Sequence, residues 1–253
     1  KTMAERLHKV LARMGVGSRR EIEGWIKAGR VKIEGKPVEL GQTDEGLSEV
    51  EIDGSVIKLN SKLETQVLLY HKPHDEICSR KDPEGRKTVF ESLPEPDSGS
   101  WISVGRLDLT TTGILLFTND GDLANALMHP RASVDREYLV RVHGGLYPDI
   151  LQNLRDGVQL EDGVARFTDV QPRSSKGTNQ WVQVVLQEGR NHEVKRMFES
   201  QGLQVTRLIR IRFGPILLED DFRKGRHRLL LAKEVQQLKS LIEQSKRDIS
   251  GSK

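Results

Sequence analysis

"GRLDLTTTGILLFTND", residues 105–120, follows the apolar run "WISV" and carries a second one, "GILLF", within it. Apolar runs on either side of a short polar turn read as a loop between two buried strands. That loop holds Arg106, Asp108 and three consecutive threonines. An aspartate there has an ordinary reading, in which its carboxylate accepts a backbone N–H two residues on. It also has a chemical reading, a charged group held rigidly at the end of a sheet. The rest of the chain decides between them.

Outward from this loop the pattern alternates between strands and short helices. "VLLYHKP" (67–73), "REYLVRVHG" (136–144), "QWVQVVLQEG" (180–189), "VTRLIRIRFG" (205–214) and "HRLLLA" (227–232) read as strands. In 136–144, Tyr138, Val140 and Val142 alternate with Glu137, Leu139 and Arg141. "GDLANALMHP" (121–130), "PDILQNLRDG" (148–157), "NHEVKRMFESQG" (191–202) and "KEVQQLKSLIEQ" (233–244) read as helices. No regular βαβ alternation links them, so the expected fold is α+β, with a mixed, mainly antiparallel sheet flanked by helices.

Helical phase separates two adjacent cations in "EVKRM". At about 100° per residue, Lys195 borders the apolar face of Val194, Met197 and Phe198, and Arg196 points away from it. Lys195 is thus placed to reach a carboxylate such as Asp108, and Arg196 to reach solvent or RNA. A buried carboxylate needs a cation or hydrogen bonds, which makes the Asp108–Lys195 pairing physically reasonable.

The N-terminal region is different. Residues 5–14, "ERLHKVLARM", place Leu7, Val10, Leu11 and Met14 on one helical stripe. Ser18 and Glu21 form a capping-box pattern, which predicts a second helix ending at Gly29. Alternating residues around Glu34-Gly35 predict a small hairpin. The first forty residues carry twice as many Lys and Arg as Asp and Glu. Arg19, Arg20, Lys27, Arg30 and Lys32 lie near the exposed edge of this module, a distribution that suits phosphate binding or a solvated basic face. The stretch 53–66 is polar and suits a linker, with its core at 61–66. The polar end, 244–253, reads as a disordered tail.

Composition excludes several classes. The 253 residues are 36% hydrophobic and 30% charged, values of a globular protein. No apolar run is long enough to span a bilayer. The start, "KTMAERLHKVL", lacks the apolar region of a secretory signal. Cys78 is the single cysteine, which excludes an intramolecular disulfide and a cysteine-based zinc site. A cytoplasmic protein is expected. His71 and His74 are the closest histidine pair, but no HExxH helix accompanies them, so no metal is expected.

"SRREIEGWIKAGRVKIEGKPV" resembles the alpha-L RNA-binding module over residues 3–60. "GRLDLTTTGILLFTNDGDLANALMHP" closely resembles the GRLD segment of pseudouridine synthases. "LLYHKP", "REYLVRV" and "EGRNHEVKRM" match other recurring segments of that family in the same order. Together with "KDPEGRKTVFESLP", they point to the RsuA/RluB branch. The resemblance implies a catalytic domain over 67–243 with the pseudouridine synthase fold, acting on large-subunit (23S) ribosomal RNA without a cofactor. It implies that Asp108 is the essential aspartate, Tyr138 the tyrosine against the base and Lys195 the aspartate's basic partner. It further implies that Arg106 helps hold or replace a flipped nucleotide, and that Arg190, Asn191 and Arg196 bind substrate. A small-subunit RNA target and a non-catalytic ribosome-assembly factor are the alternatives, and a monomer is the default state.

Overall fold

The computed structural model describes residues 4–59 and 64–250, so the expected 61–66 linker lies partly outside the described residues. The chain divides into two compact units. One is drawn from Lys1–Val67, Pro94–Ile102 and Phe117–Ala124, the other from Leu68–Leu93, Ser103–Leu116 and Asn125–Lys253.

The first unit opens with α1 (Leu7–Arg13) and α2 (Arg19–Lys27), followed by β1 (Val31–Ile33), β2 (Lys36–Pro37), β3 (Glu49–Ile52) and β4 (Ser55–Lys58). The predicted capping box is formed. The Glu21 amide donates to Ser18 Oγ at 3.2 Å, and the Ser18 amide donates to Glu21 Oε2 at 2.9 Å. Leu7, Leu11, Ile22 and Ile26 pack against Val31, Val50 and Ile52 in a small core beside a four-stranded sheet ordered β2-β1-β3-β4. Glu34-Gly35 turns the first hairpin with positive φ at both residues (49° and 77°). Asp53-Gly54 does the same (50° and 83°) between β3 and β4. The polar reading of 53–66 is therefore corrected at its start, where Asp-Gly is a hairpin signal of the same kind.

Sequence-distant segments complete this unit. Ser100 Oγ donates to the Gly15 carbonyl at 2.6 Å. The Asn119 side chain accepts from the Gln66 amide at 2.8 Å and donates to the carbonyls of Glu64 and Ser98 at 3.1 and 3.2 Å. One buried amide thus joins three loops that a contiguous division of the chain would separate.

The other secondary-structure elements are β5 (Val67–Lys72), β6 (Ile102–Val104), β7 (Thr112–Thr118), α3 (Gly121–Met128), β8 (Arg136–His143), α4 (Pro148–Asp156), β9 (Val158–Leu160), β10 (Gly163–Ala165), β11 (Asp169–Lys176), β12 (Asn179–Leu186), α5 (Glu193–Glu199), β13 (Gln204–Phe213), β14 (Ile216–Leu217), β15 (His227–Leu229) and α6 (Ala232–Ser250). Nine strands form a mixed sheet with the path β11-β12-β8-β13-β7-β5-β15, while β14 pairs with β13 and β6 with β7. Strands β11, β12, β8 and β13 pair antiparallel in succession, and β13 pairs with β7 in parallel. The α+β architecture is the one expected.

The alternation in β8 is realised, with Tyr138, Val140 and Val142 buried and the residues between them partly exposed. Phe167, Phe198 and Phe213 are also buried. Burial of each such side chain is worth about 1.5–3 kcal/mol. One expectation is overturned at the C-terminal end. Residues 244–250 continue α6 and are no disordered tail. No Gly or Pro interrupts the run before Gly251, and Ser245 Oγ donates to the Ala132 carbonyl at 3.0 Å, docking this turn of the helix.

Candidate active site

The loop between β6 and β7 is fixed from below. Lys72 ends the fully buried strand β5, and its ammonium donates to the carbonyls of Pro73, Leu109 and Thr111 at 3.0, 3.2 and 3.0 Å. Those three bonds use all its donors. Burial pushes the Lys72 pKa down, and nearby acidic groups, including Asp108, oppose that. The Asp75 amide donates to the Leu109 carbonyl at 3.1 Å, and the Leu107 amide donates to Cys78 Sγ at 3.4 Å. A lysine closing the largely apolar run "VLLYHK" was the available signal for this clamp.

Held in this way, Asp108 is only about a quarter exposed. Its backbone carbonyl accepts the Thr111 N–H at 3.0 Å, so the turn is closed by main chain. The carboxylate takes no part in closing it, which disposes of the ordinary turn reading. Lys195 Nζ lies 3.6 Å from Asp108 Oδ2 and donates to Thr110 Oγ1 at 2.9 Å. His192 Nε2 lies 3.3 Å from the other oxygen, Oδ1. His192 is a non-glycine residue at φ 51°, just ahead of α5, and is half exposed. Its place beside Asp108 depends on that left-handed backbone and was missed in the sequence.

Tyr138 lies on β8, in register with Val184 of β12 and Arg210 of β13. Its side chain is buried, and its hydroxyl makes no hydrogen bond among the described residues. Arg106 is exposed and makes no hydrogen bond or ion pair among the described residues.

The other segment residues are placed differently. Arg196 donates through Nη1 and Nη2 to the two oxygens of Asp162, both at 2.9 Å, and through Nε to the Asn191 carbonyl. These bonds hold the Asp162 carboxyl below its usual range. Arg190 reaches the same carboxylate at 3.2 Å and also pairs with Glu188 and Glu193. Burial pushes the Glu193 carboxyl up, and the Arg190 amide, donating to it at 2.9 Å, opposes this. Arg190 and Arg196 are therefore occupied in tying the β9–β10 turn to α5, and Asn191 is exposed.

In the first unit Arg19, Arg20 and Lys27 are exposed and unpaired among the described residues, Arg20 and Lys27 being two turns apart on α2. Lys32 is half-buried. Arg30 forks onto Asp53 and lies 5.2 Å from the centre of the Trp25 ring. Among the described residues no group of three or more His, Cys, Asp or Glu side chains is arranged to hold a metal ion. No described helix is long and apolar enough to cross a membrane.

Known proteins are similar to the chain at every level. Residues 66–200 match the family model described as RNA pseudouridylate synthase, and residues 5–43 match the S4 domain. A relative named ribosomal large subunit pseudouridine synthase B from Vibrio cholerae is 51% identical, covering 95% of this chain and 76% of the relative. Its namesake from Escherichia coli is 50% identical, covering 95% and 84%. That from Pseudomonas aeruginosa is 49% identical, and the chain spans 61% of its length. A crystal structure described as a pseudouridylate synthase superimposes with a TM-score of 0.64 at 27% identity, covering 92% of this chain and 99% of that one. With an S4 domain ahead of a synthase domain and half its residues shared with such relatives, the chain belongs to the RNA pseudouridylate synthase family.

Proposed function

We propose that the chain isomerises one uridine of large-subunit (23S) ribosomal RNA to pseudouridine. The observation that carries this is the Asp108 carboxylate, clamped by its loop, flanked by two basic side chains and left out of its own turn. Isomerisation breaks the N1–C1′ bond, turns the freed uracil and rejoins it through C5. A carboxylate acts at C1′ as a nucleophile, or removes a sugar proton to start an elimination. Either role uses the carboxylate form, beside which the Lys195 ammonium lies at 3.6 Å.

In this reading Asp108 is the catalytic carboxylate, Lys195 its basic partner and Tyr138 the ring that holds the base. Arg106, with no partner of its own, takes the place of the flipped nucleotide in the RNA. Flipping costs a few kcal/mol, which contacts to the RNA backbone offset. Arg19, Arg20, Lys27, Arg30 and Lys32 of the module spanning residues 3–60 supply such contacts. Of Arg190, Asn191 and Arg196, exposed Asn191 meets the substrate, and the two arginines position it by tying the β9–β10 turn to α5. The enzyme works as a cytoplasmic monomer.

The test is tritium release from ribosomal RNA labelled at uridine C5, because rejoining through C5 must expel that hydrogen. Release from large- and not small-subunit RNA is expected. RNA binding without release would replace the proposal with a ribosome-assembly role.

A further inference from the structure

Two arginines on β13 have opposite surroundings. Arg212 donates through Nε to Glu137 and lies 3.6 Å from Asp135, so it is paired with carboxylates. Arg210 is more deeply buried, at 2% exposure, and has no acidic partner among the described residues. Its Nε donates to the Ile114 carbonyl at 2.7 Å, and its Nη2 is buried without a partner. Phe213, 5.3 Å from the guanidinium, offers a ring face. A second arginine, Arg136, lies 5.4 Å from the same ring. Among the described residues Arg136 hydrogen-bonds only the carbonyls of Val134 and Gln187. Burial and the Arg210 charge push its pKa down. An unpaired buried charge is strongly destabilising, and a neighbouring like charge adds to the cost.

The position of Arg210 suggests what it serves. β13 lies between β7, which leads out of the Asp108 loop, and β8, which carries Tyr138. Arg210 is in register with Tyr138 on one side and with Gly113 on the other. Cross-strand partners in an antiparallel pair share a sheet face, so Arg210 and Tyr138 are neighbours on one face. A Cβ on Gly113 would lie 2.1 Å from the Arg210 carbonyl, so the absence of a side chain there lets the two strands close. The Arg210 charge also reaches Cys78, whose sulfur contacts the Leu107 backbone next to Asp108.

We infer that Arg210 stabilises the negative charge that forms on uracil when it leaves C1′. This rests on the synthase reading above. In the bond-breaking step the N1–C1′ electron pair departs with the base. C1′ either bonds to an Asp108 oxygen or is left double-bonded to C2′ as the carboxylate takes the C2′ proton. Both routes give an anionic uracil, with charge spread over N1, O2 and O4. Rejoining forms the C1′–C5 bond as the bond from Asp108 to C1′ breaks or, on the other route, as Asp108 returns its proton to C2′; C5 then loses its proton and N1 gains one. A fixed cation in a dry pocket is effective at the first step because its field is little screened and it need not reorganise. Asp108 and Lys195 act on the sugar side; Arg210 acts on the leaving group.

The test is the single-turnover rate of the whole chain on target RNA carrying either uridine or 5-fluorouridine at the reacting position, read as loss of the parent nucleoside after digestion. Fluorine makes the departing base a better anion, which then needs less help. Arg210→Met is expected to slow the uridine reaction about 100- to 1000-fold. It should slow the 5-fluorouridine reaction less than about tenfold, with RNA affinity within about threefold of the parent. Equal losses on the two RNAs, or an unchanged uridine rate, would overturn the assignment. If Arg210→Met shows no cooperative melt, Arg210→Lys decides. A folded Lys variant within about tenfold of the parent supports a role for charge. One equally slow on both RNAs overturns it. Turnover by the parent reports separately on the synthase reading.

Discussion

Asp108 and Asp162 both face basic residues of the segment 190–196, and they are held in opposite ways. Each Asp162 oxygen accepts from Arg196 at 2.9 Å, and Arg190 adds a third contact. Asp108 has the His192 imidazole at 3.3 Å and the Lys195 ammonium at 3.6 Å, and no backbone donor on its carboxylate among the described residues. Short, forked, charge-assisted bonds saturate the lone pairs and fix geometry. A carboxylate in that state is a poor nucleophile and a poor base. The longer contacts leave the Asp108 oxygens available. Tightness marks the structural pair, and restraint marks the carboxylate proposed to react.

The largest effect should come from exchanging each carboxylate for its amide. Asp108→Asn should lose about 10⁴-fold or more in single-turnover tritium release, whereas Asp162→Asn should stay within about threefold of the parent. Comparable losses would end the distinction. Next come the two neighbours on α5. Lys195→Met should slow the chemical step about 100- to 1000-fold, and Arg196→Met less than about threefold. A greater loss at Arg196, with Lys195 tolerant, would reassign the catalytic cation. A smaller effect is expected at Thr110, which holds Lys195 Nζ in place. Thr110→Val should cost about three- to tenfold in rate with RNA affinity unchanged.

The smallest effect is one of stability. Arg196 lowers the Asp162 pKa from its ordinary 3.8, so the folded state binds that proton less tightly than the unfolded chain. The contribution is therefore complete above the ordinary value and is lost as pH falls through the depressed one. The melting temperature of Asp162→Asn should lie slightly below the parent's at neutral pH and converge with it in that acidic window. A constant gap down to low pH would show that Asp162 acts through something other than its charge.

The half of this comparison involving Lys195 was legible in the sequence, because helical phase alone separates it from Arg196 by about 100°. The Asp162 half was not. Asp162 lies 34 residues before Arg196, and it meets that arginine only because the β9–β10 hairpin docks on α5. The edge strand β11 escaped for a local reason. "DVQPRSSK" is polar and contains Pro172, which an edge strand tolerates and where the register shifts. Arg210 was hidden by a similar irregularity. In "RLIRIRF" the alternation breaks between Arg210 and Arg212, so two arginines two residues apart have different surroundings. Caps, turns and regular strands follow from nearest neighbours. Bulges and long-range ion pairs depend on the assembled sheet.

The place of β13 in the sheet also has a consequence for synthesis. The strands that present the aspartate and the tyrosine are complete by His143, yet the strand between them ends only at Phe213. A nascent chain stopped short of that point holds both groups with nothing to set their spacing. Pairings between distant segments form slowly and late. The S4 module emerges before the synthase domain is complete, with Asp108 and Tyr138 still unjoined. Chemistry on RNA therefore waits until about seventy further residues have been added.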